Sequence, residues 1–229
     1  GNLVNRTTNI LFDFPGRTTA LPPVTTTPAV AFGRVYFGTS FDDAGQGYFF
    51  SIDATNGGTP QQFAPAPGQP IPGAYVGGPT AVAAADIGGV APIDTVYVAN
   101  QNLNVYALDA ANINNVIWRT NELNTTVAGP LTFTPMQVYD TTGFQQLYPT
   151  ITVPGENGSF SALFARGGAV GNGITNSFGG KLCWQNFASN GIRASMSVGA
   201  PPGVPGFMYG GDLSGNLFAW SDNLTIGGQ

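Results

Sequence analysis

The sequence predicts an all-β fold of four successive antiparallel sheets, and two observations lead to this prediction. First, short runs rich in β-branched and aromatic residues alternate with polar turns along most of the 229 residues. Second, the pattern repeats: the third-strand positions of successive repeats lie 56, 55 and 56 residues apart, at Ile52, Leu108, Leu163 and Ala219. A period this constant indicates repeated structural units.

Each period contains four strand-like runs, which favours the blades of a β-propeller. We therefore predict a single domain, residues 1–229, with four four-stranded blades of about 55 residues. The repeats run at approximately 10–59, 60–115, 116–180 and 181–229. The sequence is compatible with two arrangements, a closed four-blade ring and part of a larger propeller. In the closed ring, residues 10–14 would complete the last blade beside 216–220, and residues 224–226 compete for that place.

The second repeat shows the pattern most clearly. Residues 96–98 and 105–108 are predicted strands, separated by a polar turn at 100–102. Asp109 then opens a second turn, because its carboxylate can accept hydrogen bonds from backbone amides just downstream. Residues 116–118 form the next strand, which ends on tryptophan.

The remaining elements follow the same order. The predicted innermost strands are residues 27–32, 79–85, 129–134 and 193–198. The predicted second and third strands are 34–38 and 48–54, 147–149 and 159–164, and 207–211 and 216–220. Residues 59–79 contain six prolines and are predicted to be a surface connection, and the glycine-rich stretch 167–180 is predicted to be a surface loop.

The stretch VYVANQNLNVYALDA, followed by VIW, resembles the repeat of pyrroloquinoline-quinone-type (quinoprotein-like) β-propellers. Ala107, Asp109 and Trp118 match that repeat, whereas residues 112–115 replace its Thr-Gly-Lys turn. The resemblance implies that outer-strand aromatics stack between neighbouring blades, at Phe12, Phe63, Trp118 and Trp184. Quinoprotein dehydrogenases have more blades and an acidic metal site beside the quinone, which no residues here match. We therefore expect a non-enzymatic member or a fragment.

The functional groups of the chain exclude several chemistries. Charged residues make up 8% of the sequence, against about 25% in ordinary globular proteins. There is no histidine and one cysteine, so Ser-His-Asp and Cys-His catalysis and histidine-ligated zinc are excluded. A net charge of −5 without a basic patch disfavours nucleic acid as a partner. No apolar run reaches the roughly 18 residues of a membrane span.

Four residues are candidates for binding. Asp42 and Asp43 could contribute carboxylates to calcium, the one cofactor considered, but a solvated turn is the alternative because the spacing matches no known calcium loop. Tyr75 and Tyr139 lie in predicted surface loops and could contact a ligand. Cys183 lies in an apolar run and is interpreted as an inert buried thiol.

These observations favour a non-catalytic propeller that is secreted, periplasmic or exposed at the cell surface, and that binds proteins in a larger assembly. The near-neutral surface supports this, because charged residues are depleted in the cores of protein interfaces. The alternative is a propeller that binds glycans or small ligands. The third hypothesis is a fragment of a quinoprotein dehydrogenase.

Overall fold

The computed structural model describes residues 22–64, 71–87, 93–120, 122–139, 145–165, 169–170, 174–175, 179–199, 207–221 and 224–225. In these residues the chain forms mostly antiparallel β-strands with one four-residue helix. The prediction of an all-β fold is therefore confirmed.

The first sheet has the strand order β1-β2-β3-β4. Its strands are β1 (Ala29–Ala31), β2 (Arg34–Phe41), β3 (Gln46–Asp53) and β4 (Gly57–Gln62), and β5 (Ile71–Pro72) pairs with the start of β3. Tyr36 and Phe37 of β2 and Phe49 and Phe50 of β3 are buried, as the aromatic composition predicts.

The second sheet has the order β6-β7-β8-β9. Its elements are β6 (Tyr75–Val82), the short helix α1 (Ala84–Ile87), β7 (Thr95–Asn100), β8 (Asn104–Asp109) and β9 (Val116–Thr120). All six residues of β7 are buried, so this strand has neighbours on both of its faces.

The prediction that residues 59–79 form a surface connection is wrong in part, because β4, β5 and the start of β6 lie within it. The prolines are compatible with these strands. Pro60 lies on the outer strand β4, where only one edge needs backbone donors, and Pro79 lies at a register irregularity between Val76 and Thr80. The innermost strand also begins earlier than predicted, and α1 replaces its predicted end.

The third sheet contains β10 (Thr132–Tyr139), β11 (Gln145–Pro154), β12 (Ser159–Phe164) and, after an insertion, an outer strand. The insertion holds a small two-stranded sheet, β13 (Ala169–Val170) with β14 (Ile174–Thr175). The outer strand is β15 (Leu182–Phe187), which pairs with β12. The predicted glycine-rich surface loop therefore includes short strands in its described part.

The fourth sheet has three strands in the described part of the chain: β16 (Ser197–Gly199), β17 (Phe207–Gly211) and β18 (Leu217–Ser221). The last strand, β19 (Leu224–Thr225), pairs with β10 of the third sheet. The prediction that residues 224–226 compete for the outer place of the last blade is therefore wrong, because β10 extends to Tyr139 and pairs with β19 there. Residues 10–14, with Phe12, lie outside the described residues.

Hydrophobic clusters join each sheet to the next. We call the face of a sheet that meets the following sheet its forward face, and the opposite face its rear face. Tyr36 packs with Leu108 between the first and second sheets, and Tyr97 with Leu163 between the second and third. Phe160, Met208 and Trp220 join the third and fourth sheets. None of these clusters of described residues joins the fourth sheet to the first, so ring closure stays a prediction.

The repeat is confirmed at three of its four marker positions. Ile52, Leu108 and Leu163 pair with Val35, Val96 and Ile151, and all three markers are buried. The fourth marker is wrong, because Trp220 occupies the equivalent place opposite Met208 and packs against the third sheet. Ala219 lies one residue earlier, on the forward face, because the last period is one residue longer than the sequence pattern suggests.

The predicted repeat limits do not coincide with the sheets. The limit at residue 116 separates β9 from β8, with which it pairs, and the limit at 181 separates β15 from β12. The outer strand of each sheet follows its third strand along the chain, so limits drawn by pairing would fall after the outer strands.

Candidate interaction surface

The hairpin turns between the second and third strands of each sheet lie at the same end of the molecule, because the sheets pack side by side in the same sense. These four-residue turns occupy residues 42–45, 100–103, 155–158 and 212–215. We call this end, including the connections that lead from it into the next sheet, the turn face. Loops on a rigid β-scaffold are where binding residues concentrate.

The four turns share one geometry. In three of them the first residue is aspartate or asparagine, and its side-chain oxygen accepts a hydrogen bond of 2.9 Å from the backbone N–H two residues later: Asp42, Asn100 and Asp212. In the third turn Gly155 takes this place, and the Asn157 side chain instead accepts a 2.9 Å hydrogen bond from the Ser159 N–H. These bonds fix the backbone of each turn locally.

The fourth position of every turn is in the left-handed backbone region. Glycine fills it in three turns, with φ of 77°, 84° and 85° at Gly45, Gly158 and Gly215. In the second sheet the residue is Leu103, with φ of 69°. A side chain here costs about 1 kcal/mol or more, and Leu103 is 39% exposed. A strained residue whose side chain faces solvent is a candidate for function.

The connections between sheets hold neighbouring turns together. The Gly73 N–H donates to the Gly45 carbonyl over 2.8 Å, and the Gln101 N–H donates to the Ala74 carbonyl over 2.9 Å. Between the third and fourth sheets, the Leu213 N–H donates to the Gly191 carbonyl over 3.0 Å. The turns of adjacent sheets therefore belong to one hydrogen-bonded surface.

Large apolar side chains are exposed on this surface. Five of them lie in the turns or at the strand ends beside them: Phe41, Leu103, Phe187, Leu213 and Leu217. Val30 and Phe32 are the exposed apolar residues at the opposite end of the first sheet. Single exposed apolar residues need no explanation, but a collection at one end of a molecule indicates an interaction surface.

Two of the turns begin with a carboxylate, that of Asp42 and that of Asp212. The Tyr48 hydroxyl donates to Asp42 over 2.6 Å and, with the Gln46 backbone, lowers the pKa of that carboxyl. Desolvation is the largest single influence on Asp212 and raises its pKa, but the hydrogen bonds from Asn216 and Ser214 together outweigh it and lower the pKa below its ordinary value. Both groups are ionised at neutral pH, so the turn face carries negative charge.

The calcium candidates fall within the first turn. Both carboxylate oxygens of Asp42 already accept hydrogen bonds from the turn and from Tyr48, and Asp43 is exposed. Within the described ranges, no group of three or more metal-binding side chains comes together. The arrangement of Asp42 is that of the solvated turn, which was the alternative interpretation.

The prediction that Tyr75 contacts a ligand from a surface loop is wrong. Tyr75 begins β6 and is 1% exposed, with its ring 5.4 Å from that of Phe49. The segment was interpreted as a loop from its prolines and glycines, but pairing with β7 brings Tyr75 into the core. Burial raises the pKa of its hydroxyl well above the ordinary value. The side chain of Tyr139 lies outside the described residues.

Trp118 and Trp184, two of the predicted docking aromatics, lie on outer strands opposite alanine. Trp118 pairs with Ala107 and donates from its indole nitrogen to the Ala165 carbonyl of the third sheet over 2.7 Å. Its ring rests on Gly180, where a Cβ would lie 2.6 Å from the ring. Trp184 pairs with Ala162, within the cluster that joins the third and fourth sheets.

Phe63 is displaced from the place that the pattern assigned to it. It packs against Tyr106 of the second sheet, but Gln61, two residues earlier, occupies the place equivalent to Trp118. The Gln61 amide donates to the Ala111 carbonyl over 3.2 Å. The sequence reasoning missed this residue, because glutamine carries no distinctive signal in an outer strand.

Two buried tyrosines were also missed as docking residues. The Tyr36 hydroxyl donates to the Ala110 carbonyl of the second sheet over 2.9 Å, and the Tyr97 hydroxyl donates to the Ala165 carbonyl of the third over 3.0 Å. Burial raises the pKa of Tyr36 to about 12. The recurring Val-Tyr pair at the start of the second strand was the signal that could have identified them.

Two further observations concern chemistry and environment. Cys183 is half-buried, and desolvation raises the pKa of its thiol to about 12, so the thiolate is scarce at neutral pH. A search of the described residues finds no helix with the length and apolar character needed to cross a membrane.

No family model matches the chain, and no curated protein matches it. Among solved structures, the chain is similar to a chain of the crystal structure titled "Crystal structure of BBS1N in complex with ARL6DN, soaked with mercury". The sequence identity is 11% and the TM-score is 0.48. The match covers 90% of this chain and 56% of that chain, so this chain spans little more than half of its length. Similarity at this level carries no argument about fold or function.

Proposed function

We propose that the chain is a non-catalytic, propeller-type repeat domain that binds other proteins through its turn face, as part of a secreted or surface-exposed assembly. The observation that supports this most directly is the group of exposed apolar side chains on that face, among them the strained Leu103. The lack of histidine supports a binding role over a catalytic one.

The composition of the turn face suits a protein partner. Leucine and phenylalanine side chains provide area for burial, while the carboxylates of Asp42 and Asp212 in the turns favour a partner with basic groups. Interfaces of this kind have apolar centres and polar rims. The turns are held by their own hydrogen bonds, so binding needs little reordering of the backbone.

Paired substitutions on the turn face test the proposal. The variant Leu103→Asn with Leu213→Asn replaces two exposed leucines by a residue that tolerates the left-handed backbone, so the fold is retained. We expect a protein captured by the wild-type chain from its native extracellular fraction to bind this variant at least about tenfold more weakly. Titration with the purified partner by isothermal calorimetry gives the dissociation constants.

Val30→Thr provides the matched control, because Val30 is exposed at the opposite end of the first sheet. This variant should bind as tightly as the wild type. Equal affinities of the double variant and the wild type would show that the turn face is not the binding surface.

A further inference from the structure

Pairs of asparagine and glycine recur in the loops of the chain. Asparagine is a thermolabile residue, because the backbone nitrogen of the residue that follows it can attack its side-chain amide carbon. Glycine in that following position has no Cβ to hinder the attack. The described part of the chain contains three such pairs, at residues 56–57, 157–158 and 190–191. Their atoms make different contacts, so the fold gives each pair a different reactivity.

The pair at 190–191 brings the reacting atoms together. Of the three described pairs, it is the one in which the glycine N–H donates to the side-chain oxygen of the asparagine, over 2.8 Å from Gly191 to Asn190. The attacking nitrogen therefore lies beside the amide carbon that carries this oxygen. The Asn190 Nδ2 donates to the Ser214 hydroxyl oxygen over 3.2 Å, so a hydroxyl lies beside the nitrogen that has to leave. Asn190 is exposed, which gives water access to the amide.

The surroundings of residue 191 hold this arrangement in place. A Cβ at Gly191 would lie 2.7 Å from the Glu156 carbonyl oxygen, so the position suits glycine alone. The Gly191 carbonyl accepts from the Leu213 N–H over 3.0 Å, and the Ile192 N–H donates to the Gly155 carbonyl over 3.2 Å. The turns of the third and fourth sheets therefore fix the backbone beside the attacking nitrogen.

The pair at 157–158 has the same two residues in a different arrangement. The Gly158 N–H donates to the Gly155 carbonyl over 3.1 Å instead of to the Asn157 side chain. The Asn157 side-chain oxygen accepts from the Ser159 N–H over 2.9 Å. The attack would have to break both of these turn bonds, so this pair is a matched control within the same molecule.

We propose that Asn190 is a site of self-modification, at which the folded chain exchanges a side-chain amide for a carboxylate. Water takes the proton of the Gly191 N–H, and the nitrogen attacks the Asn190 Cγ to close a succinimide ring. The bond from Cγ to Nδ2 breaks, Ser214 donates a proton to the departing nitrogen, and ammonia leaves. Ser214 recovers the proton that water took. A second water opens the ring at either carbonyl, which gives aspartate or isoaspartate.

The product changes the contact between the third and fourth sheets. The new carboxylate adds negative charge beside the turn of Asp212, whose carboxyl group lies near the Asn190 backbone N–H. Isoaspartate also lengthens the backbone next to Gly191 and displaces the carbonyl that accepts from the Leu213 N–H. The reaction needs only water, so it does not depend on the partner proposed for the turn face.

Incubation of the complete chain at mildly alkaline pH, folded and unfolded in urea, tests the proposal. Mass spectrometry of digests made at mildly acidic pH measures the loss of amide at each pair. In the folded chain, Asn190 should react about tenfold faster than Asn157. In urea the two residues should react at similar rates, because glycine follows both. Equal rates in the folded chain, or an equally large preference for Asn190 in urea, would overturn the proposal.

Two variants separate the roles of the groups. Ser214→Ala removes the hydroxyl but keeps the backbone N–H that binds Asp212, and it should slow the loss at Asn190 about threefold while Asn157 reacts as before. Asn190→Gln would have to close a larger ring and should show no loss at residue 190. A wild-type rate in Ser214→Ala would overturn the role of the hydroxyl, and loss at residue 190 in Asn190→Gln would overturn the ring closure.

Discussion

The second and fourth sheets are built from the same strand pattern, yet they differ in what covers them. In the second sheet both faces are buried, and its forward tyrosine, Tyr97, donates to a carbonyl of the next sheet. In the fourth sheet the described residues cover only the rear face, through Met208 and Trp220, while Tyr209 is 38% exposed among them. Equivalent residues therefore contribute differently to the free energy of unfolding, because each sheet is stabilised by its neighbours, as in other repeat proteins.

The largest expected difference comes from truncating equivalent forward-face residues. Val105→Ala removes two methyl groups from a fully buried place and should lower the free energy of unfolding by about 2 kcal/mol. Leu217→Ala, at the same place in the fourth sheet, should change it by less than about 0.5 kcal/mol. Urea denaturation of both variants measures the contrast, and equal losses would show that the fourth sheet is covered in solution.

Removing single tyrosine hydroxyls tests the same difference between buried and exposed forward faces. Tyr36→Phe removes the donor to the Ala110 carbonyl and should cost about 1.5 kcal/mol. Tyr97→Phe should cost less, about 1 kcal/mol, because Trp118 still donates to the same Ala165 carbonyl. Tyr209→Phe should leave the midpoint of thermal unfolding unchanged. A loss at Tyr209 as large as at Tyr36 would mean that its hydroxyl has a partner in solution.

The same contrast predicts a dependence on pH. The pKa of Tyr36 is raised from 10.0 to about 12 in the folded chain, so above pH 10 the unfolded state loses the tyrosine proton first. The stabilisation is complete below pH 10 and is lost as the pH rises through about 12. Denaturant midpoints between pH 8 and pH 11 should fall less steeply in Tyr36→Phe than in the wild type.

The smallest expected effect lies in the turns. Leu103→Gly in the second sheet relieves left-handed strain but adds backbone entropy to the unfolded chain, so a net gain of about 0.5 kcal/mol is expected. Gly215→Leu, at the same position in the fourth sheet, should lose stability because φ is 85° there. Chemical denaturation measures both changes. A loss for Leu103→Gly would show that the leucine side chain packs in the folded state.

The proposed interaction surface was less predictable than the strands. The sequence pointed to the turn at Asp42 and Asp43 but interpreted it as a candidate metal site or a solvated turn, and it placed Tyr75 on the surface. The strained backbone of Leu103 could not be predicted, because a leucine in a turn differs from other apolar residues only once its backbone angle is known. Exposure and backbone strain depend on neighbours that are far away in the chain.

The β-class of the fold, the repeat and the places of most strands follow from local patterns, because alternation, turn residues and period are properties of neighbouring residues along the chain. Only the tertiary structure decided that Tyr75 is buried, that Gln61 takes the place of a tryptophan and that Ala219 belongs to the forward face. Each of these depends on which sheet lies against which and in what register, and a shift of one residue moves a side chain to the opposite face.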